Sequence, residues 1–177
     1  AGGLRLWAAS AAELAFDAAV KAFQDNFYER AEAQLADFCQ KFQDSPRLAE
    51  AILLQAEAQL ELTNYTGAIQ LITANQGKAG TNADQYLFWL AEAYSRKGEW
   101  RLAGDAFAKL TKEFPASSRC LEAALREASA RAALAQSQPA EWSRVTELLQ
   151  LTNGLFQCAV RTNAASDLVA RGYLLLS

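Results

Sequence analysis

The stretch from Leu87 to Pro115, LFWLAEAYSRKGEWRLAGDAFAKLTKEFP, decides the fold. Its first half sets Leu87, Leu90, Ala91 and Tyr94 at three- and four-residue steps, which gathers apolar side chains on one face of a helix. Its second half does the same with Trp100, Ala103, Phe107 and Leu110. Between them runs Arg96-Lys97-Gly98-Glu99, where Gly98 can take the left-handed conformation that ends a helix. The stretch therefore predicts two amphipathic helices, near 83–97 and 99–113, joined by a tight corner.

The same pattern recurs on either side. An aromatic residue, an Ala three later and a large apolar residue seven later form the triplets Tyr28/Ala31/Leu35, Tyr65/Ala68/Ile72 and Trp100/Ala103/Phe107. The first members lie 37 and 35 residues apart, and another Ala (Ala19, Ala56, Ala91) precedes each by nine residues. Trp142, Val145 and Leu149 form a looser copy that starts 42 residues after Trp100. Asp25-Asn26 and Thr63-Asn64 occupy the place of the Gly98 corner. Small residues at helix crossings allow close approach. A hairpin that cannot cover its own apolar face buries it by stacking on the next one.

The expected fold is all-α: an α-solenoid of antiparallel helix pairs with about four repeats (10–45, 46–81, 82–115, 116–162), a partial fifth over 163–177 and an N-terminal extension over 1–9. The other helices are expected near 10–24, 27–43, 47–62, 64–74, 117–136 and 140–152, with a last one from about 164. Pro46, Pro115 and Pro139 fall at junctions, where the fixed φ suits a helix's first turn. The stretch Asn75 to Asn82, with Gly77 and Gly80, reads as a loop, and 153–163 as either a broken helix or a separate short one.

Composition removes several function classes. Histidine, the commonest general base near neutral pH and the commonest metal ligand, is absent. A net charge of −3 argues against general nucleic-acid binding, which needs excess Lys and Arg. No apolar run is long enough to span a membrane. Cys39, Cys120 and Cys158 include no CxxC pair and read as small apolar fillers. Gly77-Lys78-Ala79-Gly80-Thr81 lacks the spacing and hydroxyl of a phosphate loop, and Asn64-Tyr65-Thr66 is a glycosylation sequon in letters only. Trp100 and Trp142 are expected in the core, and Trp7 as a cap on the first repeat. Neither a catalytic constellation nor a cofactor site is expected. The missing initial Met and the apolar run at Asp167 to Leu176 read as a segment of a longer protein.

With the repeat in view, the chain resembles the tetratricopeptide repeat family. That motif of about 34 residues carries a small residue and an aromatic in its first helix, Ala and a large residue in its second, and Pro at its end. Ala91, Tyr94, Ala103, Phe107 and Pro115 match it throughout. The first repeat matches at Ala19, Ala31 and Leu35 with Ala22 in place of the aromatic, and its Pro46 comes three residues late. The second matches at Ala56, Ala68 and Ile72 with Gln59 in that place and no Pro, and a partial fifth matches at Ala170 and Tyr173. The fold it implies is a right-handed superhelix. The phrasing Leu110-Thr-Lys-Glu-Phe114-Pro115-Ala-Ser117 before Glu122-Ala123, and its cousin from Phe38 to Ser45-Pro46 before Glu50-Ala51, is similar to an envelope subset of the family. That subset includes bacterial outer-membrane assembly lipoproteins and the periplasmic coordinator of the Tol–Pal system. A bacterial periplasmic or envelope location follows as an expectation, with the cytoplasm as its alternative.

The resemblance also implies a site. In the family, ligand peptides lie along the concave face made by each repeat's first helix. Carried over residue by residue, that face takes Glu13, Phe16, Val20, Phe23 and Gln24 from the first repeat. The second supplies Glu50, Leu53, Glu57, Leu60 and Glu61, and the third Gln85, Phe88, Glu92, Ser95 and Arg96 with Trp89 at the edge. The fourth repeat is left out because its register is ambiguous by four residues. The expected function is a non-catalytic protein-protein interaction scaffold that holds a partner segment with basic and apolar side chains. The alternatives are an accessory domain of an enzyme whose active site lies elsewhere, and self-association through the apolar face of the last helix.

Overall fold

The structure, a computed structural model, describes the backbone of residues 2–150, 154–162 and 166–175. Within these spans it describes the side chains from residue 11 onward, except those of residues 155, 158, 161, 162 and 166. The expectations for Trp7 and Cys158 therefore fall on side chains outside the described set. All regular secondary structure among the described residues is helical, with no strand. They form α1 (Gly2–Gln24), α2 (Tyr28–Lys41), α3 (Leu48–Glu61), α4 (Tyr65–Ala74), α5 (Ala83–Lys97), α6 (Trp100–Glu113), α7 (Cys120–Ala135), α8 (Trp142–Gln150), α9 (Leu155–Thr162) and α10 (Ser166–Leu174). The chain divides into two compact units, residues 1–89 and 90–177, with the division inside α5.

In each unit the helices pack on their neighbours in chain order, as a helical repeat requires. In the first unit α1 packs on α2, α2 on α3 and α3 on α4, and α1 also touches α3. In the second, α6 packs on α7, α7 on α8, α8 on α9 and α9 on α10. The small residues that mark the repeat sit at these crossings: Ala19, Ala31, Ala56, Ala68, Ala91 and Ala103 have no exposed surface. Leu35, Ile72, Phe107 and Leu149 are buried with them.

The corners inside the hairpins share one backbone solution. Asn26, Thr63 and Gly98 have φ of 61°, 59° and 83°, at the same place in successive repeats. Each residue donates its N–H to the carbonyl three back, and the next residue donates to the carbonyl five back, as in Asn26 to Phe23 and Phe27 to Ala22. Thr63 to Leu60 with Asn64 to Gln59, and Gly98 to Ser95 with Glu99 to Tyr94, repeat the pair. This pair of hydrogen bonds is the Schellman closure, which satisfies carbonyls that the helix end leaves open. Asn64 then caps α4, its side-chain oxygen accepting from the Gly67 N–H at 3.1 Å.

The corners between hairpins repeat as well, two repeats apart. The Ser45 and Ser117 hydroxyls accept from the N–H of Arg47 (3.2 Å) and Arg119 (3.1 Å), a local serine turn. Each Arg then pairs with the Glu three residues on, Arg47 with Glu50 at 2.7 Å and Arg119 with Glu122 at 3.0 Å. This correspondence fixes the fourth repeat: Leu125 stands where Leu53 does, and Ala128 where Ala56 does. The longer step to Trp142 comes from an extended α7–α8 corner, residues 136–141, that holds a 3-10 turn, Pro139–Glu141.

Several expectations change. α1 starts at Gly2, so helix occupies residues assigned to an extension. The 75–82 loop contains two short 3-10 turns, Gln76–Lys78 and Gly80–Asn82, while part of 153–163 takes the second of its two expected forms, the separate helix α9. Pro115 lies in a turn well before α7 rather than in its first turn. Trp100 and Trp142 are not core residues: they keep 38% and 46% of their surface exposed. Each is the first residue of its helix, and the face that turns inward carries Ala103 and Phe107, or Val145 and Leu149. Ala170 and Tyr173 are also exposed, and Gly172 faces the core in their place.

Polar contacts tie the helices together inside each unit. In the first, Gln55 and Gln59 of α3 both donate to one Glu32 oxygen on α2, at 2.9 and 3.0 Å. In the second, the corresponding positions on α7 are Glu127 and Arg131. The Glu127 carboxylate is fully buried and accepts from Arg144 of α8 at 3.1 Å, with Arg131 at 3.8 Å. Arg131 reaches on to Asp105 of α6 (2.7 Å) and Glu141 (3.5 Å). A Cβ at Gly104 would stand 3.0 Å from the Arg131 Nε, so the glycine leaves room for that side chain to cross α6.

Candidate partner-binding face

The first helix of each hairpin determines which residues the proposed face can offer. In the first unit, Phe16, Leu53, Leu60 and Phe88 are buried among their neighbours. Apolar residues at three- and four-residue steps on α1, α3 and α5 are what the hairpins stack on, so these four serve the core and present no surface to a partner. The aromatic anchors expected at Phe16 and Phe88 are therefore corrected to packing residues. Phe16 meets Phe38 edge-on, with centroids 5.5 Å apart, and Phe88 meets Trp89 in the same way at 5.6 Å.

The residues that reach solvent in the first unit are the remaining ones. Val20, Phe23, Glu57, Gln85 and Trp89 are half-buried, and Gln24, Glu50 and Glu61 are exposed. Phe23 is braced edge-on by Tyr28 at 5.4 Å, which fixes its ring and leaves part of it open. Glu50 does not act alone. Arg47 bonds it through two nitrogens at 2.7 and 2.9 Å and also reaches Glu13 at 3.4 Å. The face of this unit is therefore acidic, with one arginine set among its carboxylates and with apolar ground at Val20 and Phe23.

The second unit differs. Glu92 keeps only 5% of its surface and pairs with Arg126 of α7 at 3.4 Å. Burial pushes its carboxyl above the ordinary range, against the pull of Arg126 and Arg96. Arg126 also holds Glu122 at 3.5 Å. Glu92 is thus a structural carboxylate rather than a surface one, whereas Ser95 and Arg96 beside it do reach solvent. Sequence reasoning missed Glu122, Leu125, Arg126 and Ser129, which with Leu168 and Arg171 line a small cavity of about 80 Å³. The Ser-x-Arg-x-x-Glu corner shared with Ser45 to Glu50 was the signal that could have found them, since it sets the register of α7.

Among the described residues no group of His, Cys, Asp or Glu is arranged to hold a metal ion, and no helix is long and apolar enough to cross a membrane. Cys39 and Cys120 are free thiols. Burial raises both above the ordinary thiol value, Cys39 to about 11, which makes each a poor nucleophile. Compared with known proteins, the chain matches no family model and no curated relative.

Proposed function

We propose that the chain is a tetratricopeptide-like, non-catalytic scaffold that holds a partner protein through the first helices of its hairpins. The observation that carries this reading is the twice-repeated corner chemistry together with buried Ala at successive crossings, which marks stacked hairpins. Such stacks expose an extended surface that suits a linear segment. In the first unit that surface carries Glu57 and Glu61 on α3 and the half-buried Val20 and Phe23 on α1. A segment with Lys or Arg spaced among aliphatic residues fits it, the carboxylates setting orientation and the apolar contacts supplying most of the affinity. The phrasing from Leu110 to Ser117 before Glu122-Ala123, with its cousin from Phe38 to Pro46, is similar to that of envelope proteins of this type and supports a bacterial periplasmic setting.

The test uses end-capped 12-residue peptide pools rich in Lys and Leu, or in Glu and Leu, titrated against the whole chain. The basic pool should bind, and Glu57→Lys with Glu61→Lys should weaken that binding about tenfold or more while helix content and melting stay unchanged. Equal binding by the wild type and the double variant sinks the reading. Glu92 is unsuitable for this purpose because it is buried, so its replacement would disturb packing rather than the exposed face.

A further inference from the structure

On the other side of α3 lies a cleft of about 280 Å³ within the first unit. Leu48, Ile52 and Gln55 of α3 form its floor; they recur at three- and four-residue steps, about half a turn around the helix from Glu50, Glu57 and Glu61. One wall comes from α2 and the turn after it, with Ala36, Cys39, Gln40 and Gln43. The opposite wall comes from α4 and the turn after it, with Leu71, Asn75 and Lys78.

The chemistry of the walls is one-sided. Among the described residues that line the cleft, Lys78 carries the only formal charge, and no carboxylate is present. Neither Gln40, Gln43 nor Lys78 has a side-chain hydrogen bond or ion pair within the described residues, whereas Lys21, Lys41 and Lys97 each hold a carboxylate. Asn75 closes the end of α4, its side-chain amide donating to the Leu71 carbonyl at 2.8 Å and its N–H to that of Ile72 at 3.1 Å. Two of the carbonyls that would repel an anion there are already satisfied. The charge of Lys78 is felt at the Cys39 thiol on the facing wall, so the ammonium acts across the cleft.

We propose that this cleft is a second binding site, which takes an extended peptide segment carrying an acidic side chain flanked by aliphatic ones. The carboxylate pairs with Lys78, the free amides of Gln40 and Gln43 meet the peptide backbone as donors and acceptors, and the aliphatic neighbours cover the half-buried Leu48 and Leu71. With walls on both sides of the α3 floor, the segment lies along the cleft and its charge comes from a side chain. The site has the opposite charge preference to the face formed by Glu57 and Glu61, and it does not depend on that face.

The experiment uses fluorescein-labelled, end-capped peptides of the form Leu-Glu-Leu within a Ser-Gly frame, with Gln or Lys replacing Glu in the controls. The Glu peptide should bind the whole chain, the Lys peptide about tenfold or more weaker, and Lys78→Glu should reverse the order. Bound Glu peptide should also slow alkylation of Cys39, read by peptide mass mapping, and leave Cys120 unaffected. Glu57→Lys with Glu61→Lys should leave this binding unchanged, which separates it from the basic-segment site. Equal binding of the Glu and Lys peptides overturns the proposal. So does undiminished binding to Lys78→Glu, or binding of a free C-terminal carboxylate with no side-chain preference.

Discussion

The guanidinium of Arg47 lies 4.0 Å from the centroid of the Phe16 ring. Arg47 opens α3 and Phe16 belongs to α1, so the contact ties the first helices of two successive hairpins. Glu50 and Glu13 hold the guanidinium plane over the ring. A planar fork suits both tasks at once, and an ammonium does not. Arg47→Ala should lower the unfolding free energy by about 1 kcal/mol. Arg47→Lys should recover less than half of that. Urea titration followed by far-UV circular dichroism reads both, and an alanine variant as stable as the wild type would remove the contact from the stability argument.

Thr63 makes a second case. It occupies the left-handed corner at φ 59° with a β-branched side chain, where its counterparts are Asn26 and Gly98. That conformation costs a residue with a branched Cβ roughly 1–2 kcal/mol. Thr63→Asn should therefore stabilise the chain by about 1 kcal/mol, whereas Gly98→Ala should destabilise it by a similar amount. Opposite signs at equivalent corners are the check, read as midpoint shifts in the same titration.

The repeat was legible because its marks are local. Small residues at crossings and a corner residue able to reach positive φ depend on the helix period alone, and Ala56, Ala91 and Gly98 took their expected places. The face was less legible because one helix surface serves two masters. The positions that a peptide would touch are interleaved with those that stack hairpins, so Phe16 and Leu60 went to the core while Glu61 stayed outside. Glu92 looked like a surface carboxylate until Arg126, more than thirty residues away in sequence, was seen to cover it. The cleft around Lys78 was hidden for a related reason: its walls come from helices two elements apart, and no spacing within one helix announces them.

The two buried carboxylates of the second unit make stability depend on pH. Burial pushes Glu127 above the ordinary carboxyl value of 4.5, against the opposing pull of Arg144 and Arg131 and with Asp105 adding to the rise. Burial moves Glu92 the same way. A carboxyl that holds its proton more tightly folded than unfolded makes folding take up protons as the pH falls. Its contribution is least favourable when both states are ionised, and it improves as pH drops through the raised folded value toward 4.5. The difference in unfolding free energy between wild type and Glu92→Gln with Glu127→Gln should therefore climb from neutral pH down to about 4.5. Urea titrations at a series of pH values give that difference, and a flat or falling curve would contradict the assignment.

Gly172 allows α10 to lie against α9. A Cβ built at this position would overlap the edge of the Phe156 ring, at Cε2 and Cζ. That ring cannot swing away, because it is buried and braced edge-on by Tyr173, with centroids 5.7 Å apart. Phe156 also belongs to the core that Leu125, Ala128, Val145 and Leu149 share, so a shift there spreads into α7 and α8. Overpacking of this kind typically costs about 1–3 kcal/mol. Gly172→Ala should destabilise the second unit by that much, and the loss should appear first as faster amide exchange in α9 and α10. Phe156→Leu in the same chain should return part of the loss, since a smaller side chain makes room for the methyl. If the alanine variant exchanged as slowly as the wild type, the close approach of the two helices would be wrong, and the docking of α10 would need another basis.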